Sequence, residues 1–112
     1  MTISWSSRQQ QRVGNLLDRY PVASARCEAL ARSLLVVARE RDVHAKMWRL
    51  VPSEGRYVVP KVKLARPWYF HVTTEVEAHA VDALTGADGT AVENYLERHW
   101  TEVDAIVWRE ER

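Results

Sequence analysis

Apolar residues recur at helical spacing through the first third of the chain, and this pattern predicts two helices. The first is expected from Arg8 to Tyr20, and Pro21 ends it because the residue before a proline is pushed out of the helical region. The second is expected from about Ala25 to Arg41, with Ser24 as its N-cap. Cys27 would then lie in the first turn of the second helix.

The middle of the chain changes to the alternating pattern of strands. His44 to Val51 predicts a first strand, and residues 52–66 form a long connection that is typical of a binding loop. Trp68 to Val76 alternates aromatic, β-branched and Thr side chains, and a shorter extended run covers His79 to Leu84. We interpret these two runs as a β-hairpin with Glu77-Ala78 as its two-residue turn, although Asn-Gly or Asp-Gly is the usual chemistry there.

The last part of the chain predicts one more helix and one more strand. Thr90 to Glu93 fits a capping box that opens a helix to about Trp100, and Val103 to Trp108 predicts a final strand. The expected order is α-α-β-β-β-α-β. At 112 residues the chain is expected to be one domain, residues 1–112, of the α+β class, with N-terminal helices packed on a small antiparallel sheet.

The register of the predicted hairpin brings a histidine and a carboxylate together. If the turn has two residues, Val76 lies opposite His79 and Thr73 lies opposite Asp82. His71 shares the face of Thr73, so His71 and Asp82 become diagonal neighbours, roughly 7–8 Å apart at the backbone. A slip of one residue would move Asp82 to the other face.

This pair would complete a nucleophilic site if it met the chain's single cysteine, Cys27. A thiol becomes a good nucleophile when it loses its proton, and both a helix N-terminus and an adjacent His71 favour that loss. Asp82 would orient the ring, and backbone N–H groups around Cys27 would stabilise an oxyanion. The chemistry permitted is acyl transfer through a thioester: hydrolysis of a peptide or isopeptide bond, deamidation or transamidation.

The order of these residues resembles papain-like and transglutaminase-like cysteine enzymes. The strings His71-Val72-Thr73-Thr74-Glu75-Val76 and Val81-Asp82-Ala83-Leu84-Thr85-Gly86 are most similar to small papain-fold toxin domains of bacterial polymorphic toxins and effectors. The resemblance implies a minimal papain-like fold, Cys27 as nucleophile, His71 as base and acid, and Asp82 as the orienting carboxylate. It also implies a protein substrate, delivery into another cell and a cognate immunity protein. The glutamine that precedes the nucleophile in papain-like peptidases has no counterpart here, since the nearest one upstream is Gln11.

Each candidate residue also has a plainer interpretation. Cys27 could be a small buried apolar residue, and Asp82 could simply cap the turn after it. Trp68 could pack in the core, or it could shield His71 and line a substrate groove. Arg26 could contact an acidic substrate group or remain a solvated helix charge.

Composition limits the remaining classes. A formal net charge of +1 argues against a dedicated binder of nucleic acid or anionic membranes. No apolar run reaches the roughly 18 residues that a membrane span needs, and the N-terminus lacks the layout of a signal peptide. His44, His79 and His99 are expected to be exposed. No metal site and no cofactor are expected, because the sequence has neither H-x-x-x-H nor C-x-x-C spacing.

Two functions from other classes stay open. The chain could be a non-catalytic protein-binding module on the same fold, with Trp68 and the 52–66 connection as its contact surface. It could also be an assembly subunit that buries its five tryptophans at an interface.

Overall fold

The chain folds into an α+β domain, and a computed structural model describes its residues 2–112. In this range the helices are α1 (Ser7–Arg19), α2 (Cys27–Arg41) and α3 (Val92–His99). The strands are β1 (Lys46–Pro52), β2 (His71–Val76), β3 (His79–Val81), β4 (Thr90–Ala91) and β5 (Ile106–Glu111). Short 3₁₀ turns cover Val22–Ser24 and Val103–Ala105. The predicted fold class is confirmed, and the element order differs from the expected one only by the short β4.

The five strands form one antiparallel sheet in the order β4-β3-β2-β1-β5. Helix α2 packs on this sheet, where Ala31 meets Met47 and Val72 in a small buried cluster. The hydroxyl of Thr74 donates to the carbonyl of Ala31 at 2.9 Å, which satisfies a polar group inside this interface. The long helix is therefore fixed against the two central strands, β1 and β2.

A second buried cluster is largely aromatic and involves α3. Leu50 and Ala80 from the sheet pack with Tyr95 of α3 and with Trp100 just beyond its end. Tyr95 and Trp100 are at most 1% exposed. Aromatic side chains of this size bury a large apolar area, so this cluster holds α3 and the sheet together.

Helix α2 begins later than the sequence predicts. Its first residue is Cys27 and its N-cap is Arg26, so Ser24 is not the cap. Ser24 instead closes the 3₁₀ turn, because its hydroxyl donates to the carbonyl of Pro21 at 2.7 Å. Ala25 then takes a left-handed conformation with φ of 56°, which ends that turn and redirects the chain into α2.

The predicted capping box is also wrong. Thr90 and Ala91 pair with β3 as strand β4, and α3 begins at Val92 without a side-chain cap. The hydroxyl of Thr90 is hydrogen-bonded to Nε2 of His99 at 2.8 Å. The tertiary contact of Thr90 with the far end of α3 thus replaces the local cap that its sequence position suggests.

The predicted first strand of the hairpin is shorter than expected. Strand β2 begins at His71, and Trp68 instead forms an isolated bridge with Val58, whose N–H donates to the Trp68 carbonyl at 2.9 Å. Pro67 precedes Trp68 and cannot donate a ladder hydrogen bond, which limits how far the strand can extend. Trp68 therefore lies on a separate segment beside the sheet.

Two of the three histidines expected to be exposed are not. His44 is exposed as predicted. His79 is 7% exposed because β4, which the sequence pattern did not reveal, covers the outer side of β3. His99 is half-buried and bonded to Thr90.

Candidate active site

The hairpin that the sequence predicts is present, with the predicted register. Glu77 and Ala78 form its turn with φ of 51° and 60°, the positive values that type I′ turns require. Val76 pairs with His79. His71 Nε2 and Asp82 Oδ2 lie 3.0 Å apart, and both residues are 1% exposed. The predicted contact between imidazole and carboxylate is confirmed.

Asp82 contacts both the ring of His71 and the turn that follows β3. Its Oδ1 accepts hydrogen bonds from the backbone N–H groups of Leu84 at 2.8 Å and Thr85 at 3.2 Å. Its Oδ2 faces His71 and also accepts a hydrogen bond of 2.6 Å from the hydroxyl of Tyr95. Burial raises the pKa of Asp82, but His71 and the other donors outweigh it and lower the pKa to about 2.

The His71 ring is fixed by aromatic neighbours. Trp68 stacks on it with a centroid distance of 5.3 Å and an interplanar angle of 10°, and Trp100 lies against it at 5.1 Å. Burial lowers the pKa of His71, but the interactions with Asp82 and Cys27 outweigh this effect and raise it to about 9. The raised pKa favours the imidazolium at neutral pH, and a cation also stacks well on an indole face.

Cys27 lies beside this imidazolium. It is the first residue of α2, its thiol is free and the residue is half-buried rather than sealed in the core. Cys27 and His71 line the same small cavity of about 10 Å³. Nε2 of His71 faces Asp82, so the buried Nδ1 is the ring nitrogen left to serve the thiol.

The surroundings of Cys27 favour the thiolate. Burial raises the pKa of the thiol, but the polar and charge interactions with His71 outweigh it, and the backbone of Val72 lowers it further. The net shift is downward even though Asp82 opposes it. No side chain caps the start of α2, and the first N–H groups of a helix lack intrahelical acceptors. These groups are suited to an oxyanion that develops next to the sulfur.

The thiol is approached from a depression outside the small cavity. A pocket of about 170 Å³ is lined by Cys27, Trp68 and Phe70, among others. A larger groove of about 530 Å³ adjoins it and also includes Trp68. Arg26 lines the small cavity, and its guanidinium lies 5.3 Å from the centroid of the Tyr20 ring. The structure thus brings both residues predicted to bind substrate, Trp68 and Arg26, next to Cys27.

Tyr95 and Trp100 complete the site but were not predicted to belong to it. Both fall in the predicted last helix, and no local motif marks a tyrosine there as a donor to a distant carboxylate. Burial and the charge of Asp82 raise the pKa of Tyr95 well above its usual value, so its hydroxyl stays a donor. A sequence pattern could have found these residues only if the packing of α3 on the sheet had been known.

No cluster of three or more His, Cys, Asp or Glu side chains suited to a metal ion occurs within residues 2–112. Over the same range, none of the helices has the length and apolar character needed to cross a bilayer. Comparisons with protein-family models, curated proteins and solved structures found no match.

Proposed function

We propose that the protein is a cysteine-dependent acyl-transfer enzyme, with Cys27 as nucleophile, His71 as acid and base, and Asp82 as the orienting carboxylate. The observation that carries the proposal is the buried His71–Asp82 pair, whose imidazole lines the same cavity as Cys27. The lowered pKa of Cys27 and the raised pKa of His71 together favour a thiolate–imidazolium pair at neutral pH.

In the first half of the reaction the Cys27 thiolate attacks the carbonyl carbon of an amide, and a C–S bond forms. The oxygen becomes an oxyanion, which the N–H groups at the start of α2 stabilise. The C–N bond then breaks, and the His71 imidazolium gives its proton to the leaving amine or ammonia. The products of this half are a thioester on Cys27 and a neutral His71.

In the second half a water molecule or an amine attacks the thioester. Neutral His71 takes the proton of the attacking group, and the C–S bond breaks to regenerate the thiolate and the imidazolium. Water yields peptide hydrolysis or deamidation, according to which amide was attacked, whereas an amine yields transamidation. Asp82 holds the ring in one orientation through both halves and stabilises the cation.

The resemblance to papain-fold toxin domains supports the same residue roles and extends the proposal. A toxin or effector of this kind acts on a protein of the cell into which it is delivered. A cognate immunity protein would then block the depression around Cys27 in the producing cell. Intact-mass analysis of candidate proteins after exposure would distinguish the reactions, because deamidation, a cleaved fragment and an amine adduct have different masses.

Alkylation of Cys27 by iodoacetamide as a function of pH tests the proposal directly. We expect the rate to reach its plateau well below the pH at which an ordinary thiol ionises. Asp82→Asn removes the carboxylate that raises the pKa of His71, so the thiolate loses its cationic partner. We expect the rate at pH 7 to fall by about tenfold, which corresponds to one unit of pKa.

The matched control is Asp104→Asn, which changes an exposed carboxylate and should leave the profile unchanged. An ordinary thiol profile in the unmodified protein, together with an unaltered biological effect in Cys27→Ala, would exclude the enzymatic proposal.

A non-catalytic binding module is the second candidate, and one observation favours it. Exposed large apolar side chains concentrate between residues 57 and 70, namely Tyr57, Val59, Val62, Tyr69 and Phe70. An apolar patch of this kind is typical of an interaction site. Under this alternative Cys27→Ser would keep the biological effect, while polar substitutions at Tyr69 and Phe70 would abolish it.

A further inference from the structure

The groove beside Cys27 is bounded by two segments of the chain. One wall is the turn at residues 22–25, and the other is the segment at residues 62–66. Ala25 and Trp68 line both this groove and the smaller pocket that contains Cys27. A polypeptide ligand that lies along the groove therefore reaches the sulfur of Cys27.

The charged side chains that line the groove are all basic. Residues 20–26 and 61–70 contain four basic side chains and no acidic one, although the net charge of the whole chain is only +1. Lys61 donates to the carbonyl of Glu97. Lys63 and Arg66 line the groove, are exposed, and form no salt bridge within the part of the chain that the structure describes. Their charges are thus available to a ligand.

The walls between these charges are apolar. Val22, Val62 and Leu64 line the groove together with Trp68, and Val62 is 46% exposed. A surface that combines apolar walls with uncompensated cations suits a polypeptide with apolar and acidic side chains. A nucleic-acid strand would use the cations, but it would offer Cys27 no amide bond of a polypeptide.

We propose that this groove binds an acidic segment of the substrate protein, with Lys63 and Arg66 pairing with its carboxylates while apolar side chains rest on Val62 and Leu64. The inference rests on the proposed function and deepens it by naming the class of substrate. Charges at the rim of a binding site mainly increase the association rate and set partner preference, and salt weakens both effects.

Protection of Cys27 from alkylation tests the inference. The probes are two peptides that share a Leu-Ala-Gln core, one flanked by Glu and the other by Lys, and an oligothymidylate of similar length. Each is added to the full chain, and the iodoacetamide rate is divided by the rate without the probe. We expect the Glu peptide to protect at a concentration on the order of tenfold lower than the Lys peptide, with the difference shrinking at high salt.

Lys63→Glu/Arg66→Glu should remove or reverse this preference. The matched control is Arg109→Glu/Arg112→Glu, which makes the same change in net charge at exposed residues near the end of the chain and should keep the preference. Equal protection by both peptides, stronger protection by the oligothymidylate, or the same loss in both double variants would overturn the inference. Protection of Cys27 from alkylation measures occupancy of the groove, whereas the pH profile of alkylation without a probe measures activation of the thiol. The groove proposal can therefore fail while the proposed function stands, and the reverse.

Discussion

At the scale of single residues, the geometry of the site depends on Asp82, because hydrogen bonds fix both oxygens of its carboxylate. Each oxygen of Asp82 has two partners, so the group can rotate only if it leaves donors buried and unpaired. Oδ1 is fixed by the turn that follows β3, and this places Oδ2 toward His71. The orientation of the imidazole thus depends on a backbone turn and on one distant tyrosine.

Tyr95→Phe tests the contribution of that tyrosine. The substitution removes a buried hydrogen bond to an anion, and the Asp82 Oδ2 atom would keep only His71 as a donor. We expect the free energy of unfolding in urea to decrease by about 1–3 kcal/mol. Tyr57→Phe removes a hydroxyl from a side chain that is 40% exposed, and it should change stability by about 0.5 kcal/mol or less. An equal effect of the two substitutions would contradict the role given to Tyr95.

Local sequence rules place some residues of the site, whereas others depend on tertiary packing. His71 and Asp82 were predictable because the side-chain alternation of a strand and a two-residue turn fix their relative position. Cys27 was predictable as a residue of the first helical turn. Tyr95 and Trp100 were not, since their position depends on how α3 packs on the sheet.

At the scale of elements, the hairpin turn uses residues that local chemistry does not favour. Glu77 and Ala78 both take left-handed conformations without being glycine or asparagine. Tertiary contacts hold Glu77, whose N–H donates to Asp42 Oδ2 at 2.9 Å and whose carboxylate accepts from the Ser4 N–H at 2.7 Å. These contacts fix the turn, and with it the register that brings His71 to Asp82.

Ala78→Gly tests how much strain the turn retains. A left-handed conformation costs an L-residue roughly 1–2 kcal/mol, and glycine avoids this cost but loses more entropy on folding. We expect a net stabilisation of about 0.5–1 kcal/mol in urea unfolding. Ala23→Gly is the control, because Ala23 lies in a 3₁₀ turn without a positive φ and its replacement should be destabilising. Destabilisation by both changes would show that Ala78 carries no such strain.

The errors in the starts of α2 and α3 share one cause. The sequence places Ser24 and Thr90 where helix caps are expected, but the hydroxyl of Ser24 closes a 3₁₀ turn and that of Thr90 bonds to His99. A hydroxyl has several possible acceptors and donors within reach of its backbone, and tertiary packing selects among them. The three helices were therefore predictable from periodicity, whereas the starts of α2 and α3 were not.

At the scale of the whole molecule, the ionised site affects the pH dependence of folding. Above pH 6.5 an unfolded His71 is neutral, and below pH 9.0 an unfolded Cys27 keeps its proton. With the proposed thiolate–imidazolium pair, the folded chain carries this proton on His71, whose pKa is raised to about 9, and not on Cys27, whose pKa is lowered. Folding then moves one proton between two residues without net uptake, so stability should be nearly constant from about pH 7 to 8.5.

Cys27→Ser should remove the balance between proton gain by His71 and proton loss by Cys27 on folding. The serine does not titrate here, while Asp82 still raises the pKa of His71, so the folded chain binds one proton more than the unfolded chain. The stability contributed by His71 is fully present below pH 6.5 and is lost as the pH rises toward the folded pKa. Urea unfolding at several pH values should show that the free energy of unfolding of Cys27→Ser declines by up to about 1.4 kcal/mol per pH unit, against a flat profile in the unmodified protein.

The control is His44→Gln, which replaces an exposed histidine and should keep the flat profile. A decline in the unmodified protein that parallels the decline of Cys27→Ser would mean that the folded thiol is protonated, and the thiolate–imidazolium pair would then be excluded.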